Sequence, residues 1–124
     1  MTDLSFEEQI NNYLSEHPDR INAIREMMYY NSPYKHNPVD CVRWVDIDKV
    51  KSNNYNPNAV AKIEMNLLFT SIKHDGYTQP VVTFYDKDKD EYIIVDGFHR
   101  YSTMKNSKYL RELNHNKLPV VVID

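Results

Sequence analysis

The stretch Val95-Asp96-Gly97-Phe98-His99-Arg100-Tyr101 decides how this chain is read. Its first residues fit the end of a buried strand, Gly97 a tight turn, and Phe98 onward a helix that opens on a histidine and an arginine. Backbone N–H groups at a helix N-terminus point outward unpaired and carry partial positive charge. An imidazole and a guanidinium placed there make an anion-binding corner, most naturally for phosphate. Gly97 allows close backbone approach. The same residues also fit a surface turn with incidental basic side chains, so the motif alone leaves both readings open.

Upstream, Pro80 introduces a strand over Val81–Tyr85, and Glu91–Val95 returns beside it. The charged run Asp86-Lys87-Asp88-Lys89-Asp90 forms the hairpin tip. Further back, Asn58 can cap a helix running to about His74, with Val60, Ile63, Leu67, Leu68 and Ile72 on its apolar face. Asp75-Gly76 ends that helix, since glycine tolerates a left-handed cap. Cys41 to Ile47 alternates as a strand, with Val42, Trp44 and Asp46 on one side; a polar, asparagine-rich loop follows, Asp48 to Pro57. Near the start, Ser5 and Glu8 form a capping box for a short helix with Phe6, Ile10 and Leu14 aligned. A second helix from Asp19 places Ile21, Ile24 and Met28 on one face and ends at Asn31-Ser32-Pro33. Downstream, the Phe98 helix reaches about Asn106 or Lys108. The nearly all-apolar Leu118–Ile123 is a central or well-covered strand. Strands and helices mixed in this way, with a hairpin, predict an α+β domain with a small mixed sheet. Residues 1–38 are expected to form a helical extension and 39–124 the domain proper.

Composition bounds the function. The chain has 124 residues, enough for one core, and 41% of them are hydrophobic. Fifteen basic against 18 acidic residues give a net charge of −3. Domains that coat nucleic-acid phosphate are usually basic, so that class is disfavoured. Cys41 is the sole cysteine, which excludes an intrachain disulfide or a paired-cysteine zinc or redox motif. No apolar run approaches the roughly 18 residues of a membrane span. The acidic start lacks a secretory pattern, and the simplest expectation is a cytoplasmic protein.

In this order the elements resemble the ParB/sulfiredoxin superfamily. The resemblance rests on Trp44-Val45-Asp46-Ile47-Asp48-Lys49-Val50, Tyr55-Asn56-Pro57-Asn58 and a helix ending Leu67-Leu68-Phe69-Thr70-Ser71-Ile72. Asp75-Gly76-Tyr77-Thr78-Gln79-Pro80, Ile94-Val95-Asp96-Gly97-Phe98-His99-Arg100 and Leu118-Pro119-Val120-Val121-Val122-Ile123 complete it. Ser32-Pro33-Tyr34-Lys35 and Pro38-Val39-Asp40-Cys41-Val42-Arg43-Trp44-Val45 extend it toward the IbrB-like branch, co-activators of prophage gene expression.

This resemblance implies a ParB/sulfiredoxin-like sheet with packed helices and a site for a nucleoside triphosphate, ATP or CTP, with magnesium. It puts Ser71, Gly97, His99 and Arg100 on the phosphates and Gly76, Thr78, Gln79 and Pro80 along the base. It also implies a protein partner, such as the PAPS-reductase-like proteins that accompany the IbrB-like branch. The departures are specific. Phe98 stands where sulfiredoxins carry their reactive cysteine. Glu64 and Leu67 replace a lysine and a serine that face phosphate in sulfiredoxins. Asn58 stands for an arginine common in ParB proteins, and His99-Arg100 for two adjacent arginines. ParB proteins continue into helix-turn-helix and dimerisation domains that these residues do not contain. Asp124 follows directly on an apolar strand, so further chain is expected after it.

Asp86, Asp88 and Asp90 have calcium-loop spacing, but Glu91 and Gly97 occupy positions that require glycine and glutamate, which leaves a solvated hairpin tip. Asp96 is read as a cap for the Phe98 helix or as a magnesium ligand. Glu64 is either a solvated residue or a catalytic base. Phe98 and Trp44 are expected in the core. The five histidines show no metal-ligand spacing. Three functions follow: a nucleotide-binding regulatory module, a nucleotide-dependent phosphotransferase or ATPase using Glu64 or Asp96, and a ParB-like DNA-binding protein or nuclease. The acidic balance weighs against the last, leaving DNA contact weak or indirect.

Overall fold

The computed structural model describes residues 3–52 and 62–124, with the side chains of residues 5–52 and 64–124. Two compact units divide the chain, Met1–Cys41 and Val42–Asp124. The first holds α1 (Asp3–Glu16), a 3-10 turn at Pro18–Arg20, α2 (Ile21–Tyr30) and a 3-10 turn at Pro38–Asp40. His17-Pro18 breaks the two helices apart, because proline lacks the N–H that a continuous helix needs. Helix α1 already runs at Asp3, so Ser5 sits inside it and the expected capping box does not form. Ile10, Leu14, Ile21 and Ile24 are half-buried, but Phe6 is 61% exposed and Met28 68%, against the expected apolar faces. Two short helices offer too little surface to enclose every apolar side chain they carry.

The second unit contains β1 (Arg43–Asp46), a 3-10 turn at Ile47–Lys49, β2 (Val50–Lys51), α3 (Lys62–Asp75), β3 (Val81–Asp86) and β4 (Glu91–Asp96). It continues with α4 (Phe98–Lys105), α5 (Lys108–Leu113) and β5 (Lys117–Ile123). The five strands form one mixed sheet in the order β1-β5-β3-β4-β2. β1 runs antiparallel to β5 and β3 to β4, whereas β3 with β5 and β2 with β4 are parallel. The expected α+β class and mixed sheet are therefore present, with the Asp86–Asp90 hairpin joining β3 to β4.

Strand β5 lies between β1 and β3, the covered position that its apolar run predicts. Leu118, Val120 and Val121 are buried there. Pro119 stands one residue ahead of the ladder to β3, which begins at Val120, so its missing N–H breaks no bond on that side. The core cluster joins Val45, Ile47, Val50, Val81, Ile94, Leu118 and Val120 of the sheet region to Ile72, Tyr101, Met104 and Leu110 of the helices. Thr83 is fully buried and satisfied, its hydroxyl donating to the Val121 carbonyl at 3.0 Å.

Three sequence readings need correction. β1 presents Val45 to the core cluster, while Trp44, expected in the core, is half-buried. On α3, Ile72 is buried and Leu68 and Phe69 pack on the core, yet Leu67 is 65% exposed. The Phe98 helix stops at Lys105 and a separate helix, α5, follows; Ser107 caps it by accepting from the Leu110 N–H at 3.1 Å. Asn58 and Val60 lie outside the described residues, as does the Tyr55-Asn56-Pro57-Asn58 loop. No helix is long and apolar enough to cross a membrane among the described residues.

Candidate functional site

The site is built where β4 turns into α4. Gly97 is the N-cap, with φ +99°, and no side chain caps the helix. Asp96 therefore does not perform the expected capping role; a left-handed residue already turns the chain, and the carboxylate instead lines a cavity. The Arg100 and Tyr101 N–H groups close the first turn onto the Gly97 carbonyl at 3.1 and 3.2 Å. The earlier N–H groups of the turn are the ones a helix leaves free.

Gly97 is also required by packing. A Cβ added there would lie 3.0 Å from Arg100 Nη1 and 3.2 Å from the Val81 Cα. The guanidinium thus folds back over the turn, against the bare glycine. Its Nη2 donates to Gln79 Oε1. Gln79 comes from the segment after α3, which Gly76 begins in a left-handed conformation at φ +78°, its N–H donating to the Ile72 carbonyl at 2.8 Å. In the same segment Tyr77 Oη donates to the Arg100 carbonyl at 2.8 Å. Burial raises the Tyr77 pKa above its ordinary value, and the neighbouring Arg100 charge opposes that rise.

Two cavities meet at this arginine. The larger, about 560 Å³, is lined by Ser52, Leu68, Ile94, Asp96, His99 and Arg100, with Val95, Gly97 and Phe98 completing its wall. The smaller, about 210 Å³, is lined by Leu68, Ser71, Gly76, Thr78, Gln79 and Arg100, together with Ile72 and Tyr77. The larger is within the range typical of small-molecule sites. Its anion-attracting groups are the helix start and the Arg100 guanidinium, with the His99 imidazole on the same cavity wall.

The sequence-derived candidates therefore separate into two groups bridged by Arg100. Gly97 and His99 line the larger cavity, and Ser71, Gly76, Thr78 and Gln79 the smaller. Pro80 is half-buried and lines neither, and Glu64 is exposed on α3 and lines neither. Phe98 is half-buried, packs on the core and edges the larger cavity. Nothing in the local sequence marks Ser52; the sequence places Tyr77 inside the Gly76–Pro80 segment without a role of its own, and it reads Leu68 as core alone.

The carboxylates of the hairpin tip serve the fold. Asp86 accepts from the Asp88 and Lys89 N–H groups at 3.0 and 3.3 Å. Asp90 accepts from Lys49 Nζ at 2.7 Å and from Tyr85 Oη at 2.6 Å. No group of three or more histidine, cysteine or acidic residues is placed to hold a metal among the described residues.

Comparison with known proteins agrees with this architecture. The chain is 44% identical over 109 residues to the protein YbdM of Escherichia coli K12, covering 86% of this chain and 52% of that one. It thus spans about half the length of that relative. Among solved structures it is similar to the C-terminally truncated chromosome-partitioning protein ParB of Caulobacter crescentus complexed with CTP-γ-S. The TM-score is 0.54 and the identity 22%, over 67% of this chain and 44% of that one. A free serine kinase in complex with AMP gives a TM-score of 0.51 at 23% identity, over 67% of this chain and 31% of the kinase. The family model for the ParB N-terminal domain matches residues 32–123, and the chain belongs to that family.

Proposed function

We propose that this domain is a nucleotide-binding regulatory module that holds ATP or CTP, with magnesium, in the cleft at the start of α4. The carrying observation is Arg100, which lines both cavities at once from the first turn of α4. In this reading Gly97, His99, Arg100 and Ser71 hold the phosphates, and Gly76, Thr78 and Gln79 lie along the base. Asp96, on the larger cavity, would repel a triphosphate directly and is the residue there that would hold a magnesium ion, which would offset the phosphate charge. The nucleotides named with the solved relatives, CTP-γ-S and AMP, support the ligand class. The nucleotide state would be passed to a protein partner. The resemblance to the IbrB-like branch suggests prophage gene co-activation and a PAPS-reductase-like partner. Equilibrium dialysis with labelled ATP, CTP and GTP plus magnesium tests the site: retention of one nucleotide without turnover is expected, and retention of none contradicts the proposal.

The second reading is a phosphotransferase or ATPase. Asp96 favours it, because a carboxylate lining the same larger cavity as His99 can take a proton from an acceptor hydroxyl or water. Glu64 lies on neither cavity and loses its motivation as a base. Release of labelled diphosphate or phosphate in the same dialysis samples distinguishes this reading.

A further inference from the structure

The guanidinium at the junction of the two cavities is held from outside its own helix. Gln79 Oε1 accepts from Arg100 Nη2, and Tyr77 Oη, two residues earlier, accepts no part of that charge but ties the Arg100 carbonyl at 2.8 Å. The segment after α3 therefore grips the first turn of α4 by main chain and side chain together. Arginine carries five N–H donors and no acceptor, so one bond to Gln79 leaves others free for a ligand. A neutral amide fixes the rotamer without cancelling the charge; a carboxylate in its place would pair with the arginine and compete with any anion. Fixing a long, flexible side chain before the ligand arrives removes an ordering cost from binding.

We propose that Gln79 is a positioning residue, which acts through Arg100 to aim its charge across the junction of the two cavities. The proposal rests on the nucleotide reading of this cleft and assigns Gln79 a different part from direct base contact. A double-mutant cycle tests it, with CTP and ATP plus magnesium titrated calorimetrically into the full chain. The cycle comprises wild type, Gln79→Met, Arg100→Met and the double variant, with Gln79→Glu measured beside them. Gln79→Met is expected to weaken binding about three- to tenfold while the thermal midpoint stays close to wild type. Gln79→Glu should weaken it by about tenfold or more, because the new carboxylate occupies the guanidinium. The double variant should bind no worse than Arg100→Met alone, since residues acting as a unit do not add. Should Arg100→Met lose cooperative melting, Arg100→Lys, which keeps the charge but not the fork, replaces it.

Parental affinity in Gln79→Met overturns the positioning role and leaves the nucleotide site standing. Losses that multiply in the double variant overturn it in favour of direct contact between Gln79 and the ligand. If the wild-type chain binds neither nucleotide, the nucleotide reading itself fails and takes this inference with it.

Discussion

At residue 97 the backbone and the arginine make the same demand. A φ of +99° suits glycine alone, and a Cβ would meet Arg100 Nη1 at 3.0 Å and the Val81 Cα at 3.2 Å. Gly97→Ala is predicted to cost about 1–3 kcal/mol in denaturant unfolding, because strain and contact act together. Residual folded protein should also bind polyanions more weakly. Tyr77→Phe removes the bond to the Arg100 carbonyl and should cost about 0.5–1.5 kcal/mol. The same residue makes an alkaline prediction. Burial raises its pKa in the folded state above the unfolded value near 10. Its contribution is thus fully present below about pH 10 and is lost as pH rises toward the folded value. The stability gap between wild type and Tyr77→Phe should therefore shrink as pH rises above about 10; a constant gap at all pH values would contradict the assignment. Phe98 puts no thiol at the turn into α4, where the resemblance to sulfiredoxins would require one, so no reduction of a protein sulfinic acid is expected when the chain is supplied with ATP and a thiol donor.

Among the elements, those with strong local chemistry were legible. The hairpin was readable from a charged run between two β-branched segments, and the end of α3 from Asp75-Gly76. The covered position of β5 followed from its apolar run. Where tertiary contacts decide, the sequence was silent. α5 has six residues, and Ser107 looked like the end of one helix rather than the cap of the next. β2 is a two-residue strand that exists through its pairing with Tyr92 and Ile93. Trp44 and Leu67 are large apolar residues whose facing depends on what packs nearby, which periodicity alone does not reveal. The site was legible in part for the same reason. Gly97, His99 and Arg100 adjoin one another in sequence, whereas the Gln79–Arg100 bond joins residues that only the fold brings together. The cap of α5 carries its own test: Ser107→Ala should lower stability by about 0.5–2 kcal/mol in chemical denaturation. An unchanged midpoint would mean that α5 is held by other contacts, such as the burial of Leu110 and the Arg111 guanidinium bonds to the Met104 and Lys105 carbonyls.

For the molecule as a whole, the net charge of −3 sets an expectation about DNA. A chain of this balance releases few counterions on binding, so its affinity for duplex DNA should be weak, with a shallow salt slope. A sub-micromolar dissociation constant at about physiological salt would contradict that. The central claim is instead that the cleft at the start of α4 grips a nucleoside triphosphate through Arg100. Calorimetric titration of ATP and CTP, with magnesium, into wild type and Arg100→Ala at matched thermal stability is the direct measurement. Losing a charge-assisted contact of about 1.5–3 kcal/mol should weaken binding roughly ten- to hundredfold, with His99→Ala losing less. Equal affinity in wild type and Arg100→Ala, both folded, would contradict the account.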